Sequence, residues 1–427
     1  MKLAVIGTGY VGMVTAAVFA NLGHQVWGLD IDEKRIADLK KGKTPIYEPQ
    51  LEEYLKRGLK NKRLHFTTDY SQALRQAEIV FICVGTPPKS NGDYDLSYVY
   101  AAARQIGGAI KHDVVIVIKS TVPPGTGEAV KKIVQPLTST PFDIASCPEF
   151  LREGSAIEDS LHPSRIVIGV DSQKAKDLLL KLHQPIKAPR LICDVVSAQL
   201  IKYAANAFLA TKISFINSVA IVCDRIGADV TKVSQGLGLD PRIGGSFLQA
   251  GLGYGGSCFP KDISALISFA KRQGYNFGFL KEIERINRKQ IDYFVQKIEK
   301  HLGSLKNKTL SILGLAFKPD TDDLREARSF YLIKKLQAKG ARIKAHDPVA
   351  IKNAQKILKQ VTFYKDPYQA LVDSHALLLV TEWLEYQKLD FVKIKKLMKQ
   401  TVIFDGRNFL PKEKLVKLGF IYEGIGR

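Results

Sequence analysis

Apolar and polar positions along the chain fall into blocks whose period changes. Residues 2–6, Lys-Leu-Ala-Val-Ile, are a short apolar run, which predicts a strand. Residues 11–22 carry apolar positions at helical spacing and stop at Gly23, and residues 25–29 are a second strand ending in Asp30. The alternation continues with a helix at 71–76, a strand at 79–84, a helix at 96–110 and strands at 114–118 and 142–146. Strands that are apolar throughout and interleaved with helices predict a parallel sheet covered on both faces. From 197 to about 227 the pattern changes. Residues 198–223 form one long segment, rich in Ala and apolar on most sides, which predicts a buried helix joining two domains and packing against a partner subunit. Short helices follow at 229–236 and 263–270, then a longer one at 276–300. Residues 309–313 open a new strand and a new domain.

The last segment echoes the first. Asp69-Tyr-Ser-Gln-Ala-Leu74 precedes the strand at 79–84, and Asp366-Pro-Tyr-Gln-Ala-Leu371 precedes an apolar run at 376–380. Leu22-Gly-His-Gln-Val-Trp-Gly-Leu-Asp30 is echoed by Lys339-Gly-Ala-Arg-Ile-Lys-Ala-His-Asp347. Gly7-Thr-Gly-Tyr-Val-Gly12 sits between the first strand and the first helix, with the acid Asp30 after the second strand. This is the order a dinucleotide-binding Rossmann fold requires. Gly7 makes the tight turn, Gly9 admits a pyrophosphate, and Gly12 allows close packing of helix on strand. Asp30 would accept hydrogen bonds from the adenosine ribose and repel a 2′-phosphate, so the expected cofactor is NAD rather than NADP. The second copy reads Gly314-Leu-Ala-Phe-Lys318 and lacks the fingerprint, so it should bind a different nucleotide. The expected fold is α/β: two Rossmann-like doubly wound parallel-sheet domains joined by a long central helix and a small helical domain. The expected segments are 1–193 for NAD, 194–300 for the helical and dimerisation part, and 301–427 for the second nucleotide.

Composition narrows the class. The 427 residues are 45% hydrophobic, enough for more than one packed core. No wholly apolar run reaches the roughly 18 residues of a membrane span, and residues 1–7 read as a strand rather than a signal peptide. The net charge of +21 invites a nucleic-acid reading, yet Lys and Arg are spread over amphipathic segments without a dense tail. A solvated lysine-rich surface is therefore expected, with no nucleic-acid and no membrane partner. Cys83, Cys147, Cys193, Cys223 and Cys258 are scattered and odd in number, with no CxxC pair. That argues against a metal site and a disulfide framework, and fits a reducing cytoplasm.

Candidate chemistry concentrates in Gly251-Leu-Gly-Tyr-Gly-Gly-Ser-Cys-Phe-Pro-Lys-Asp262. Glycines here let the backbone approach a ligand, and Pro260 suits the first turn of a helix. Cys258 then stands just ahead of a helix N-terminus, where the dipole favours a thiolate. Lys261 adds positive charge, and Asp262 follows four residues after the cysteine. A buried structural cysteine is the alternative, but a glycine-rich loop suits it poorly. Thr86 and Thr121 lie at strand ends, where ligands sit in such sheets; ordinary turn chemistry is their other reading. Glu149 and Glu153 are four apart, which on one helical turn would share a face. Cys147 beside them reads as structural. Lys202 and Asn206 are spaced i, i+4 on the long helix. A lysine there is costly unless it meets an anion or exchanges protons, or unless it snorkels at the helix edge. Lys318, Arg325 and Arg407 lie at strand ends of the last domain, where cations would meet phosphates.

A fingerprint for hydride transfer beside a reactive thiol points from alcohol to acid: four electrons, two NAD, an aldehyde captured as a thiohemiacetal, oxidised to a thioester and hydrolysed. Gly-Gly-Ser-Cys-Phe-Pro-Lys-Asp resembles the active-site segment of the UDP-glucose 6-dehydrogenase family, among the nucleotide-sugar dehydrogenases. The resemblance extends through Ser120-Thr-Val-Pro, Pro148-Glu-Phe-Leu-Arg-Glu153, Lys202 with Asn206, Pro241-Arg-Ile-Gly244, Phe317-Lys-Pro-Asp-Thr321 and Phe404-Asp-Gly-Arg407. It implies UDP-glucose as substrate, Cys258 as nucleophile, and Lys202, Asn206 and Asp262 handling the oxyanion and protons. Thr121 and Glu153 would position water or serve in base chemistry, with Glu149 in the same catalytic set. Phe150, Leu151, Arg152, Glu153, Lys202, Asn206, Phe247, Leu248, Gly255, Cys258, Lys318 and Arg407 would line the UDP-sugar site, and Arg242 would reach a neighbouring subunit's substrate. Gly7, Gly9, Tyr10, Val11, Gly12, Asp30, Lys34, Thr86, Thr121, Glu153, Lys261 and Arg325 would hold NAD. Two alternatives stay open: a sibling acting on GDP-mannose or a UDP-N-acetylhexosamine, and a non-catalytic NAD and nucleotide sensor.

Overall fold

The computed structural model describes all residues, Met1–Arg427. By compactness the chain divides into two units. One is Met1–Ala205 with Ser264–Gln273; the other is Asn206–Ile263 with Gly274–Arg427. The segment expected as a middle domain, 194–300, is divided between them.

The first unit contains an eight-stranded sheet. Its strands in chain order are β1 (Lys2–Ile6), β2 (Gln25–Leu29), β3 (Leu64–Thr67), β4 (Ile79–Ile82), β5 (Val114–Ile118), β6 (Phe142–Ser146), β7 (Ile166–Val170) and β8 (Arg190–Cys193). They are arranged β3-β2-β1-β4-β5-β6-β7-β8. β1 pairs in parallel with β2 on one side and β4 on the other, with Leu3 opposite Val26 and Ile79. β4 and β5 are buried along their whole length, as a sheet covered on both faces demands. β7 departs from the all-parallel expectation: it runs antiparallel to β6, with Ala145 opposite Val170. The link between them holds only the six-residue helix Ala156–Leu161 rather than a full crossover, so the chain returns in the opposite sense. β3, β7 and β8 are not predicted from the hydropathy pattern.

The second unit carries a six-stranded sheet of β9 (Thr309–Leu313), β10 (Arg342–His346), β11 (Val361–Phe363), β12 (Ala376–Leu379), β13 (Val402–Asp405) and β14 (Ile421–Glu423), ordered β11-β10-β9-β12-β13-β14 and parallel throughout. Its six strands repeat the order of the first six strands of the first sheet, which is what the sequence echo predicts. The echo extends to side chains. Asp69 caps the helix Tyr70–Leu74 by accepting from the Ser71 amide, and Asp366 caps Pro367–Leu371 through the Tyr368 amide. Gly7 and Gly314 both turn the chain at φ above +90°, and a Cβ on Gly314 would lie 2.5 Å from the Thr381 nitrogen.

The long helix runs Val195–Ile226. One side of it is core: Ala198, Tyr203, Ala207, Ala210, Ile216, Ala220 and Cys223 are buried. It is not buried all round, as its composition suggests. Phe208, Phe215 and Val222 are more than half exposed, at intervals of seven residues. By length and composition this helix could cross a membrane, but 44% of its most apolar window is buried inside the protein.

Candidate functional site

In the first unit, the glycine turn leads from β1 into the helix Tyr10–Asn21. A Cβ on Gly12 would lie 1.8 Å from the Gly7 carbonyl oxygen, so only glycine lets this helix start so close to its strand. Around Gly9 the equivalent position has no heavy atom within 4 Å. That open space lies at a helix N-terminus, the kind of place that takes a pyrophosphate. Asp30 closes the turn. Its Oδ2 accepts from the Thr8 amide (2.8 Å), the Thr8 hydroxyl (3.0 Å) and the Arg35 guanidinium (3.0 Å). Burial alone would raise this carboxyl's pKa. The bonds from Thr8 and the Asp32 amide, helped by Arg35, outweigh it and hold the acid below its ordinary value. The cation set on Asp30 is therefore Arg35, while Lys34, expected to help hold NAD, is exposed on the same helix. Asp32 caps the next helix by accepting from the Arg35 amide, and that register sends Arg35 back toward Asp30. Thr86 and Thr121, predicted separately, meet at the ends of β4 and β5: the Thr86 hydroxyl donates to the Thr121 carbonyl at 2.9 Å.

Residues 147–154 follow β6. They form an irregular loop, so the helical turn expected to align Glu149 with Glu153 does not exist. Carboxylates take the amides that a helix would give to carbonyls. Glu149 accepts from the Leu151 amide (2.6 Å) and Asp159 from the Arg152 amide (2.8 Å). Glu149 also receives the Lys202 ammonium at 3.0 Å, with both side chains almost wholly buried. The lysine that composition marks as costly thus has its anion, and the two acids-and-base candidates are one pair. Losing either partner would strand a buried charge. Phe150 lies between cations. The Arg165 guanidinium stacks 3.8 Å from the ring centroid, and the Lys202 ammonium stands 5.4 Å from it. The sequence reading missed Arg165. Arg152 points outward, held by Asp159, and Glu153 is half-buried near Tyr10. Cys83 and Cys147 are buried, and burial pushes both thiols up to about 12, which leaves them inert.

In the second unit, Cys258 directly precedes the helix Phe259–Arg272 and its carbonyl accepts from the Asp262 amide at 2.8 Å. The thiol is partly exposed and lies 3.6 Å from the Ser257 hydroxyl. One turn on, Asp262 centres a polar cluster. Asp262, 1% exposed, accepts from the Asn206 amide at 2.5 Å and pairs with Lys261 at 2.7 Å. Asn206 stands one turn along the long helix from Lys202. Phe259 is flanked by Tyr254 and Phe247 at 5.7 and 6.2 Å between rings. Phe247 adopts φ of 65°, a strained value for a bulky residue, next to the buried Leu248.

The glycine loop gathers motifs that lie far apart in sequence. Gly256 donates to the Arg325 carbonyl and Leu252 to the Gly406 carbonyl. A Cβ on Gly255 would lie 2.2 Å from the Glu326 oxygen. Arg407 reaches the carbonyls of Val380, Gly253 and Phe317 and pairs with Glu382 at 3.2 Å. Lys318 is half-buried beside Phe317. Two further predicted cations lie at the surface. Arg325 and Arg242 are mostly exposed, each held by an acid two residues earlier, Asp323 and Asp240.

Family models match most of the chain in three parts, all of the UDP-glucose/GDP-mannose dehydrogenase family: its NAD-binding domain over residues 1–187, its central domain over 196–289 and its UDP-binding domain over 311–412. A UDP-glucose 6-dehydrogenase of Bacillus subtilis is 50% identical over 429 residues, covering 100% of this chain and 93% of that protein. A UDP-glucose dehydrogenase structure from Pyrobaculum islandicum is 42% identical with a TM-score of 0.93, covering 99% of this chain and 97% of that one. A UDP-D-ManNAc dehydrogenase structure from Pyrococcus horikoshii is 28% identical with a TM-score of 0.87, covering 100% and 99%.

Proposed function

Because the chain belongs to the UDP-glucose/GDP-mannose dehydrogenase family, we propose that it oxidises the C6 alcohol of UDP-glucose to the carboxylate of UDP-glucuronate through a thioester on Cys258. The balance is one alcohol, two NAD and one water giving one carboxylate, two NADH and three protons. NAD, held by the glycine turn and Asp30, supplies the hydride acceptor for both oxidations. The Cys258 thiolate adds to the aldehyde carbon, and the resulting oxyanion is met by Lys202 and the Asn206 amide. Loss of the second hydride gives the thioester. Water positioned by Thr121 and Glu153 displaces the thiolate, and Asp262 with Lys261 carries protons. Lys318 and Arg407 take the diphosphate, and residues 150–153, Phe247, Leu248 and Gly255 hold the rest of the sugar nucleotide. Lys261 and Arg325 also serve NAD. The segments 1–193, 194–300 and 301–427 carry the cofactor, the helical part and the UDP-sugar respectively.

The observation that carries this reading is Cys258: a partly exposed thiol at a helix start, followed one turn on by Asp262 paired with Asn206 and Lys261. The higher identity to proteins named for UDP-glucose than to the one named for UDP-D-ManNAc favours glucose. Parallel assays with GDP-mannose and UDP-N-acetylhexosamines separate the siblings. A cytoplasmic setting and a homodimer, with Arg242 reaching the neighbouring subunit's substrate, complete the proposal.

Cys258→Ser tests it. Serine is nearly isosteric but far less ionised, so both ligands should bind while net turnover stops. An acyl or sugar adduct should then appear as added mass. Near-normal UDP-glucuronate production by this variant ends the covalent mechanism.

A further inference from the structure

The segment Pro45-Ile-Tyr-Glu-Pro49 belongs to none of the sets above, yet it orients its residues against their polarity. Tyr47 is 44% exposed, while its neighbour Glu48 is 7% exposed. Burying a carboxylate is costly unless donors replace its water. Glu48 finds three donors on two elements distant in sequence. Its Oε1 accepts from the Ala156 amide at 2.7 Å. Its Oε2 accepts from the Gly154 amide at 2.6 Å and from the Tyr10 hydroxyl. The two amides end the loop that carries residues 149–153. Tyr10 is the first residue of the helix that starts from the glycine turn. Gly154 has φ of +85°, so the loop leaves its last turn in a conformation that needs holding.

We propose that Glu48 is a positioning residue for the oxidation, anchoring the loop 149–154 to the first turn of the glycine-turn helix. This rests on the assignment of residues 150–153 to the sugar nucleotide made above. Glu48 belongs to neither set of ligand-holding residues. It acts through the backbone at Gly154 and Ala156, and so through the placement of Phe150, Leu151 and Glu153. A carboxylate is required because all three partners donate. A glutamine would offer one oxygen, and its amide group would face a donor at one of the two positions, whichever way it flipped.

The experiment compares wild type and Glu48→Gln as full-length protein, by initial rates of NADH formation with each ligand varied in turn and by thermal unfolding. The expected result is a KM for UDP-glucose raised about tenfold or more, with the KM for NAD changed less than about threefold, as loss of one or two loop-holding bonds implies. A purely structural carboxylate would lower Tm and leave both KM values within about twofold of wild type, which overturns the proposal. Equal increases in both KM values overturn it as well, because they report general distortion. If Glu48→Gln does not fold, Glu48→Asp replaces it: the charge is kept, the reach is one methylene shorter, and an unchanged KM for UDP-glucose again overturns the proposal. A wild type that forms no NADH from UDP-glucose would instead sink the functional reading, and the proposal with it. An active wild type with an unaltered Glu48→Gln sinks the proposal alone.

Discussion

At the residue scale, the proposed choice of NAD over NADP rests on Asp30, with Arg35 set against it. The Asp30 carboxyl sits below its usual pKa, so it stays charged throughout the neutral range. A 2′-phosphate at the adenosine ribose would face that charge, whereas a 2′-hydroxyl would donate to it. Arg35 lies on the same carboxylate, so its guanidinium is engaged and only partly available to a phosphate. Wild type should therefore favour NAD over NADP by about tenfold or more in kcat/KM, the size of one unfavourable charge contact of about 1.4 kcal/mol. Asp30→Ala should narrow that ratio by releasing Arg35. Rates at matched concentrations of the two cofactors check it; a ratio unmoved by the substitution would show that Asp30 does not discriminate. Asp30 itself was legible from its place after the second strand. Arg35 was not, because which residue of the following helix turns back to Asp30 depends on the register set by the Asp32 cap.

At the element scale, the long helix shows how composition misleads. Apolar residues all round predict burial all round, yet Phe208, Phe215 and Val222 remain exposed along one face. The proposed second copy of the chain would cover that face, since a seven-residue spacing keeps all three on one side of a helix. Phe215→Glu should then halve the mass measured in solution by light scattering. The folded subunit should remain intact, because a surface position costs within about 0.5 kcal/mol. An unchanged mass would remove this helix from the subunit contact. The loop 147–154 is the opposite case. Its acids read as a helical pair, but Pro148 starts it, Gly154 ends it, and Glu48, Glu149 and Asp159 accept its amides. Those acceptors come from up to 106 residues away, where no local pattern can see them.

At the scale of the whole molecule, each unit buries a histidine in its core. His183 in the first unit is pushed down to about 4 by burial, and His346 in the second is also lowered by burial. Between an unfolded value of about 6.5 and these lower folded values, the unfolded chain binds protons that the folded chain refuses. Stability is therefore full above about pH 6.5 and falls as the pH drops toward 4, by roughly 3 kcal/mol from His183 alone. Urea midpoints at pH 7 and pH 5 should show this drop, and His183→Gln should shrink it. Equal drops in wild type and variant would refute the assignment to His183.

The sequence alone determined the two nucleotide-binding sheets, the glycine turn with Asp30, and the identity of Cys258, Lys202, Asn206 and Asp262 as candidates. Each is written in local periodicity, in turn chemistry or in a motif of a few residues, and the repeated strand order follows from the repeated pattern. The tertiary structure decided the partnerships. Lys202 takes Glu149, Asn206 takes Asp262, Phe150 lies under Arg165, and Glu48 holds the loop that ends at Gly154. It also decided that β7 turns against β6 and that one face of the long helix stays open. Hydropathy reports how much of a residue can be buried, but only the folded chain sets which distant group meets it, because a buried charge or donor must find its partner in space rather than in sequence.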